Sequence, residues 1–433
     1  MAGFMLKLID ATTRAGQAAL KKLDRRAEPD AGTRDAVAAV LADVRARGDA
    51  AVIEWTERYD RARLTPKGLA VPPAAMEAAW GGLPAATRRV LRSSHRNVAA
   101  FAKAGLRSSW KRRNEQGALV GEIYQGFERV GLYVPGGTAP LVSTAIMTVT
   151  LAKVAGCREI VVTTPCGPDG SVNPSLLGAL HLAGATEVYR IGGIQAVGAL
   201  AFGTRTIRPV AKIFGPGNKY VIEAKRQVFG MVAIDQLPGP SEVMVVADAT
   251  GNPSWIAADL VAQAEHGHGS QAILVTPSRK LAEAVAAEVT RQLGALSRQA
   301  HLAESLKTGG CIIVTASLDQ AVAVANAYAP EHLSLVVADE KRVVPRVTTA
   351  GAIFLGNHSP VAVGDYLAGP SHTLPTGGAG KSFPGLTVDQ FQRRTSLVRL
   401  DAASIRRSAP LVKALSDLEG LDAHGRSALI RIE

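Results

Sequence analysis

REIVVTTP (158–165), NPSLLGALHLAG (173–184), EVYRIGG (187–193), AVGALAFG (196–203), AKIFGPG (211–217), KYVIEAKRQVFG (219–230) and MVAID (231–235) follow one another along the chain. Short β-branched runs alternate with segments whose apolar residues recur every three or four positions, which is the signature of βαβ units in a parallel sheet. Downstream the pattern restarts. SEVMVVAD (241–248), QAILVTPS (271–278), CIIVTAS (311–317), HLSLVVAD (332–339) and AIFLG (352–356) read as strands, with helices expected near 254–266, 279–294, 318–328 and 340–349. Two α/β units therefore follow one another, joined by a hinge at LPGPSE (237–242). Upstream, Thr33 to about Arg107 carries helical spacing broken by Pro72, Pro73 and Pro84. The segment from Leu386 onward is charged and reads as a separate, helix-like element. No short solenoid repeat is visible.

The composition fits this reading. At 433 residues and 47% apolar content the chain is long enough for several domains, and disorder or a collagen-like structure is excluded. No run reaches the ~18 uncharged apolar residues of a membrane span; the nearest, Leu141 to Gly156, contains Lys153. Lys7 and Asp10 interrupt the place where a signal peptide's apolar region would lie, so a cytoplasmic protein is expected. Three scattered cysteines, Cys157, Cys166 and Cys311, form neither a disulfide framework nor a cysteine zinc site. The net charge is +12, and residues 1–130 hold 23 Lys and Arg against 14 Asp and Glu. Without interleaved aromatics or a recognition module this reads as a solvated basic surface, and no nucleic acid is expected as partner.

Several constellations carry chemistry, and one imitates it. PTGGAGKS (375–382) ends like a Walker A loop, but Pro375 stands where the first glycine belongs, and Pro384 and Gly385 interrupt the helix that should follow. No Gly-x-Gly-x-x-Gly fingerprint opens either unit. Glycines nevertheless gather at the strand ends of the first: Gly131, Gly136 and Gly137, then Gly192 and Gly193, then Gly215 and Gly217. Such loops let a pyrophosphate approach the backbone, and Tyr133, Gln195 and Asn218 stand among them as polar tips. In the second unit, Gln263 and His266 share a helix face, Asp365 lies in a Gly- and Pro-flanked loop, and His424 sits near the C-terminus. Two imidazoles, a carboxylate and an amide oxygen suit zinc. Glu331 and His332 stand together just before a strand. Alone they read first as a surface turn, and they serve proton transfer only if both lie in the loop.

VGLYVPGGTAPLVST (130–144), GGIQA (192–196), KIFGPGNKYV (212–221), ID followed by GPSE (234–242), QAEH (263–266), YAPEHL (328–333), GDY (364–366), SHTLPTGG (371–378) and EGLDAH (419–424) together resemble the histidinol dehydrogenase family in order and spacing. The resemblance implies an α/β protein of two incomplete Rossmann-like parallel-sheet domains with a helical N-terminal region and a small C-terminal segment. It implies an enzyme that oxidises L-histidinol twice, through L-histidinaldehyde to L-histidine, using NAD and one zinc ion per subunit. It further implies a homodimer with shared active sites. On this view residues 1–27 are a dimer-contact segment, 28–130 plus 241–385 the zinc and substrate domain, 131–240 the NAD-binding domain, and 386–433 a segment reaching the partner's active site. The zinc ligands would be Gln263, His266, Asp365 and His424, and the catalytic pair Glu331 and His332. Ser241, His372 and Glu419 would join these groups around the substrate, and Tyr133, Gln195 and Asn218 would contact NAD. Zinc would chelate the amine and imidazole of histidinol, His332 would take the hydroxyl proton, and Glu331 would activate the water needed for the second oxidation. The chain departs from the family's usual pattern at Pro238, Ile194, Gly267 and His268. These departures leave as an alternative a zinc and NAD enzyme for another small primary alcohol, such as a sulfonated diol.

Overall fold

The computed structural model describes residues 6–21, 23, 30–136 and 140–433. Gly137 of the first glycine loop lies outside the described residues, as does part of the 1–27 segment. The EIVVT, EVY and KIF runs form strands Glu159–Thr163, Glu187–Tyr189 and Lys212–Phe214. They join Arg129–Tyr133, Ala233–Ile234 and the edge strand Ala70–Val71 in a six-stranded first sheet, parallel except at that edge. The second sheet comprises Glu242–Ala247, Gln271–Thr276, Gly310–Val314, His332–Val336 and Ala352–Leu355. Lys7–Asp10 pairs in parallel along Gly310–Val314 as its sixth strand. Taken in chain order, the five principal strands of each sheet lie in the spatial order 3-2-1-4-5. Two α/β units were thus readable from the alternation, and each has a switch point between its first and fourth strands.

The domain assignment of residues 28–130 needs correction, because their helices cover the first sheet and not the second. A parallel sheet must be covered on both faces. Val37, Val40, Leu41 and Val44 of helix Ala31–Arg47 are buried with Val197, Leu200 and Val221 on one side. Met76, Leu83, Leu91 and Val98 are buried with Ile160, Leu176 and Leu180 on the other. Each such side chain contributes roughly 1.5–3 kcal/mol when fully buried. Helical periodicity announces an apolar stripe without naming the sheet that receives it.

Two further differences concern the ends. The residues from Leu386 begin with buried Leu386, Val388 and Phe391 in the core of the first unit, where Phe391 stacks on Phe214 at 3.8 Å between ring centroids. They continue as strand Gln392–Arg399, which pairs antiparallel along all of Leu119–Gly126; Trp110–Arg113 completes this three-stranded sheet. Charged side chains hid the strand, since most of its positions face solvent. Only then come helices Ala402–Leu418 and Asp422–Leu429, packed on one another. Helix Gln299–Gly309 was not anticipated, and the helix expected over 340–349 stops at Val343 before a 3-10 turn containing Pro345. No described helix is long and apolar enough to cross a membrane.

Candidate active site

The chemistry-bearing residues of the second unit gather at the amino ends of its central strands. Glu331 immediately precedes His332–Val336, and its Oε2 accepts from Ser241 Oγ at 2.7 Å and from the Glu242 N–H at 2.8 Å. His332 is the first strand residue, and its Nδ1 lies 2.9 Å from the Glu242 carbonyl oxygen. A carbonyl can only accept, so Nδ1 carries the proton, and Nε2 is the basic atom of the neutral ring. His332 Nε2 is buried, has no hydrogen-bond partner, and lies 3.6 Å from Asp365 Oδ1. The pair thus straddles the loop–strand boundary, and both members enter the site because the strand has barely begun.

Burial raises the Glu331 carboxyl to about 7, opposed by His332 and the Ser241 hydrogen bond. Burial pushes His332 down, but the neighbouring carboxylates of Glu331 and Asp365 outweigh it and hold the imidazole above its ordinary value. Asp365 moves the other way: burial would raise it, yet His332 and the other imidazoles keep it low. These shifts place a carboxyl close to neutrality beside an imidazole with an open nitrogen.

Asp365 does not lie in a loop as expected but in the short helix Val361–Tyr366. Helix Ala85–Ala104 of the first unit holds that element: Ser94 Oγ donates to the Tyr366 carbonyl at 2.6 Å and Asn97 Nδ2 to that of Leu367 at 2.8 Å. Helix Pro253–Ala264 packs against it and carries Gln263 in its last turn, with His266 just beyond. Burial lowers His266, which also senses the charges of Asp365 and His332. Gln263 is buried, with its side-chain nitrogen unpartnered. His372 bridges the units, its Nε2 3.3 Å from Thr144 Oγ1 in helix Val142–Val154, and burial holds it low. The Walker-like segment proves to be a strap over the hinge. Gly239 N–H donates to Thr376 Oγ1 and Gly377 N–H to Glu242 Oε1, and no α-helix starts at Lys381.

Glu419 and His424 do not join this group. Both are exposed, Glu419 at the C-terminus of Ala402–Leu418 and His424 within Asp422–Leu429. Among the described residues no cluster of three or more His, Cys, Asp or Glu side chains could hold a metal ion. Gln263, His266 and Asp365 alone make an incomplete donor set.

At the carboxyl ends of the first sheet lies a cavity of about 950 Å³, lined by Tyr133, Gly193, Gln195, Asn218, Cys166 and Asp60 among others. Tyr133 Oη accepts from Gly193 N–H at 3.1 Å, where φ is +65°. Asn218 caps helix Lys219–Val228 by accepting from Tyr220 and Val221 N–H groups. Gly215 has φ +111°, and a Cβ there would sit 2.2 Å from the Tyr133 carbonyl oxygen, so only glycine fits. Its loop is pinned by a fully buried pair: Lys225 Nζ bonds Asp235 and the Gly215 carbonyl, while Asp235 Oδ2 accepts from Gly215 N–H at 2.8 Å. Gln195 Oε1 and Asp60 Oδ2 are buried acceptors without partners. The cavity is the right size for a dinucleotide and retains unmet acceptors for one. The roles of Asp60, Lys225 and Asp235 were missed in the sequence, where an Asp ending a helix and a Lys–Asp pair ten apart give no local signal.

The family model for histidinol dehydrogenase matches residues 23–432. The chain belongs to the histidinol dehydrogenase family. A histidinol dehydrogenase from Synechococcus sp. is 44% identical over 429 residues, covering 99% of each chain. One from Geobacillus kaustophilus is 46% identical over 400 residues, covering 92% of this chain and 94% of its own. The crystal structure of histidinol dehydrogenase from Elizabethkingia anophelis superposes with a TM-score of 0.94 at 33% identity, covering 100% of this chain and 99% of that one. Histidinol dehydrogenases are NAD-dependent, zinc-binding oxidoreductases that oxidise histidinol in two steps, and the chain shares that activity. The alternative of another small alcohol gains no support from these relatives.

Proposed function

We propose that the two oxidations of L-histidinol are run by Glu331 and His332 at the amino ends of the second sheet, with NAD held in the first-sheet cavity. The observation that carries this reading is the His332 ring, fixed through Nδ1 on the Glu242 carbonyl so that its buried Nε2 is left without a hydrogen-bond partner 3.6 Å from Asp365 Oδ1. In the first half-reaction Nε2 takes the hydroxyl proton as the carbinol C–H leaves as hydride to NAD. In the second, Glu331 takes a proton from water as the water oxygen adds to the aldehyde carbon; the resulting gem-diolate anion gives up its hydride to a second NAD and its remaining hydroxyl proton to solvent, leaving the carboxylate. Ser241 holds Glu331 in place. Tyr133, Gln195 and Asn218 contact the dinucleotide. Gln263, His266 and Asp365 would hold zinc, which would supply Lewis-acid anchoring of the substrate. His372 and Glu419 recognise the substrate.

His424 completes the metal set from a second copy of the chain, and Glu419 arrives with it. This is supported by the exposure of both residues and by Leu411, Leu415 and Leu418, which line one face of helix Ala402–Leu418 at 52%, 63% and 85% exposure. Such an apolar stripe in water calls for a covering surface. The assembly is therefore a homodimer with shared sites, in which 386–433 reaches the neighbour and the 1–27 segment adds contacts. A cytoplasmic location fits three free cysteines, two of them buried. The test is NADH yield: two NADH per L-histidinol, abolished by a strong chelator and restored by zinc. One NADH per substrate, or full activity in metal-free protein, overturns the reading.

A further inference from the structure

Asp60 is a carboxylate in two unfavourable circumstances at once. It is the last residue of helix Asp49–Asp60, where the backbone dipole presents its negative end. Its Oδ2 is buried without a hydrogen-bond partner, and the side chain makes no ion pair among the described residues. Burial raises the neighbouring Tyr133 phenol and Cys166 thiol, and the Asp60 charge adds to both shifts, so neither group is a cation that could offset it. No described residue repays these costs, and burial raises its own carboxyl to about 6. A buried acceptor left unmet in this way points to a donor that arrives from outside.

Its surroundings identify the donor. Asp60 lines the cavity with Tyr133, Gly193, Gln195 and Asn218, and every residue lining that cavity comes from the first-sheet unit. The nicotinamide ring must reach His332, which belongs to the other unit; the first unit approaches it through Thr144, beside His372, just beyond Pro140 at the cavity wall. The charge of Asp60 is felt at Tyr133 and Cys166 but is not among those felt at His332 or His372, which sets it toward the other end of the cavity. An ionised carboxylate only accepts, and its two oxygens match a vicinal diol.

We propose that Asp60 reads the adenosine ribose of the bound dinucleotide, accepting from its 2′- and 3′-hydroxyls, and that this contact rejects the 2′-phosphorylated cofactor. A 2′-phosphate would remove the donor and set a second negative charge against the carboxylate, and among the described residues no cation is paired with Asp60 to absorb it. The proposal rests on the reading that this cavity holds NAD.

The experiment is equilibrium binding of NAD, NADP and NAD lacking the adenosine 2′-hydroxyl to the full-length protein. Wild-type protein is expected to lose on the order of tenfold in affinity when the hydroxyl is removed, the scale of one hydrogen bond to a charged group. Asp60→Asn is expected to lose little on the same change and to raise NADP affinity relative to NAD by about tenfold or more. Wild-type indifference to the 2′-hydroxyl overturns the proposal and needs no variant to fold. An unchanged NADP-to-NAD ratio in well-folded Asp60→Asn overturns it too. Gln195→Ala separates the two possible failures. If it weakens NAD binding while Asp60→Asn leaves the ratio unchanged, the cavity holds NAD and Asp60 does not read the ribose. If neither variant alters NAD binding, the cavity assignment falls with it.

Discussion

The two six-stranded sheets share one strand order yet work from opposite ends. In the first, the glycine loops and Tyr133 follow the strands, so the cavity opens at the carboxyl ends beside the switch point, where open α/β sheets usually bind ligands. In the second, Ser241 and Glu331 precede their strands and His332 begins one, so the proposed acid–base groups sit at the amino ends. The Thr144–His372 contact joins these two ends. The regions also differ in completeness. The first makes its cavity from one chain and fixes its loop with a buried Lys225–Asp235 pair. Both leave polar atoms unpartnered, Asp60 and Gln195 in the first and Gln263 and His332 in the second, but the second also lacks a full metal donor set among the described residues. A topology repeated within one chain therefore does not dictate where chemistry occurs; the residues flanking each strand do.

The strongest way to break this contrast is to test whether the second region needs another chain. Glu331→Ala and His424→Ala proteins are each expected to be nearly inactive alone. Refolded together in equal amounts, half the dimers become mixed and one site in each carries neither lesion, so roughly a quarter of wild-type activity should return. If no activity returns after confirmed subunit exchange, His424 acts within its own chain. Next, Glu331→Gln should slow oxidation of supplied histidinaldehyde by roughly 10²–10⁴-fold while sparing the first hydride transfer, and His332→Asn should slow the alcohol step by a similar factor. Single-turnover kinetics check this; equal damage to both halves contradicts the division of labour.

The self-contained character of the first region is sharpened by Lys225→Met. Removing one partner strands a buried Asp235 charge, which should cost about 3–5 kcal/mol of stability and raise the KM for NAD more than it lowers kcat. Denaturant melts and steady-state kinetics measure the two effects, and a KM at the wild-type value would detach the pair from the cofactor loop. The smallest effect concerns Asp60→Asn without cofactor. The folded protein raises this carboxyl from 3.8 to about 6, so below 3.8 both states are protonated and no penalty exists. Between those values the unfolded chain ionises first, and above about 6 the full penalty falls on the folded wild type. Asp60→Asn should therefore match wild type near pH 3.5 and exceed it at pH 7 by about 1 kcal/mol, discounted because the group is only half-buried. An equal stability gain at both pH values would show that charge is not the cause.

The alternation of β-branched runs with helical periodicity specified two α/β units, because burying a parallel strand requires an apolar run and crossing over requires a helix. Glycine at 215 was legible for a similar reason: its loop excludes a side chain, and the sequence displays that exclusion. The candidate ligands and bases were legible only as residue types, since imidazoles, carboxylates and amides are suited to hold zinc or move protons. Tertiary structure alone decided which sheet the N-terminal helices cover, because Val37 and Val98 would be equally apolar against either. It alone turned charged Gln392–Arg399 into a strand, through eight pairings with Leu119–Gly126 that no local pattern encodes. It also left Asp60 unpartnered beside Tyr133 and brought His332 within 3.6 Å of Asp365 across 33 positions of sequence. A side chain's chemistry is local and can be read one residue at a time, whereas its electrostatic neighbours are supplied by packing.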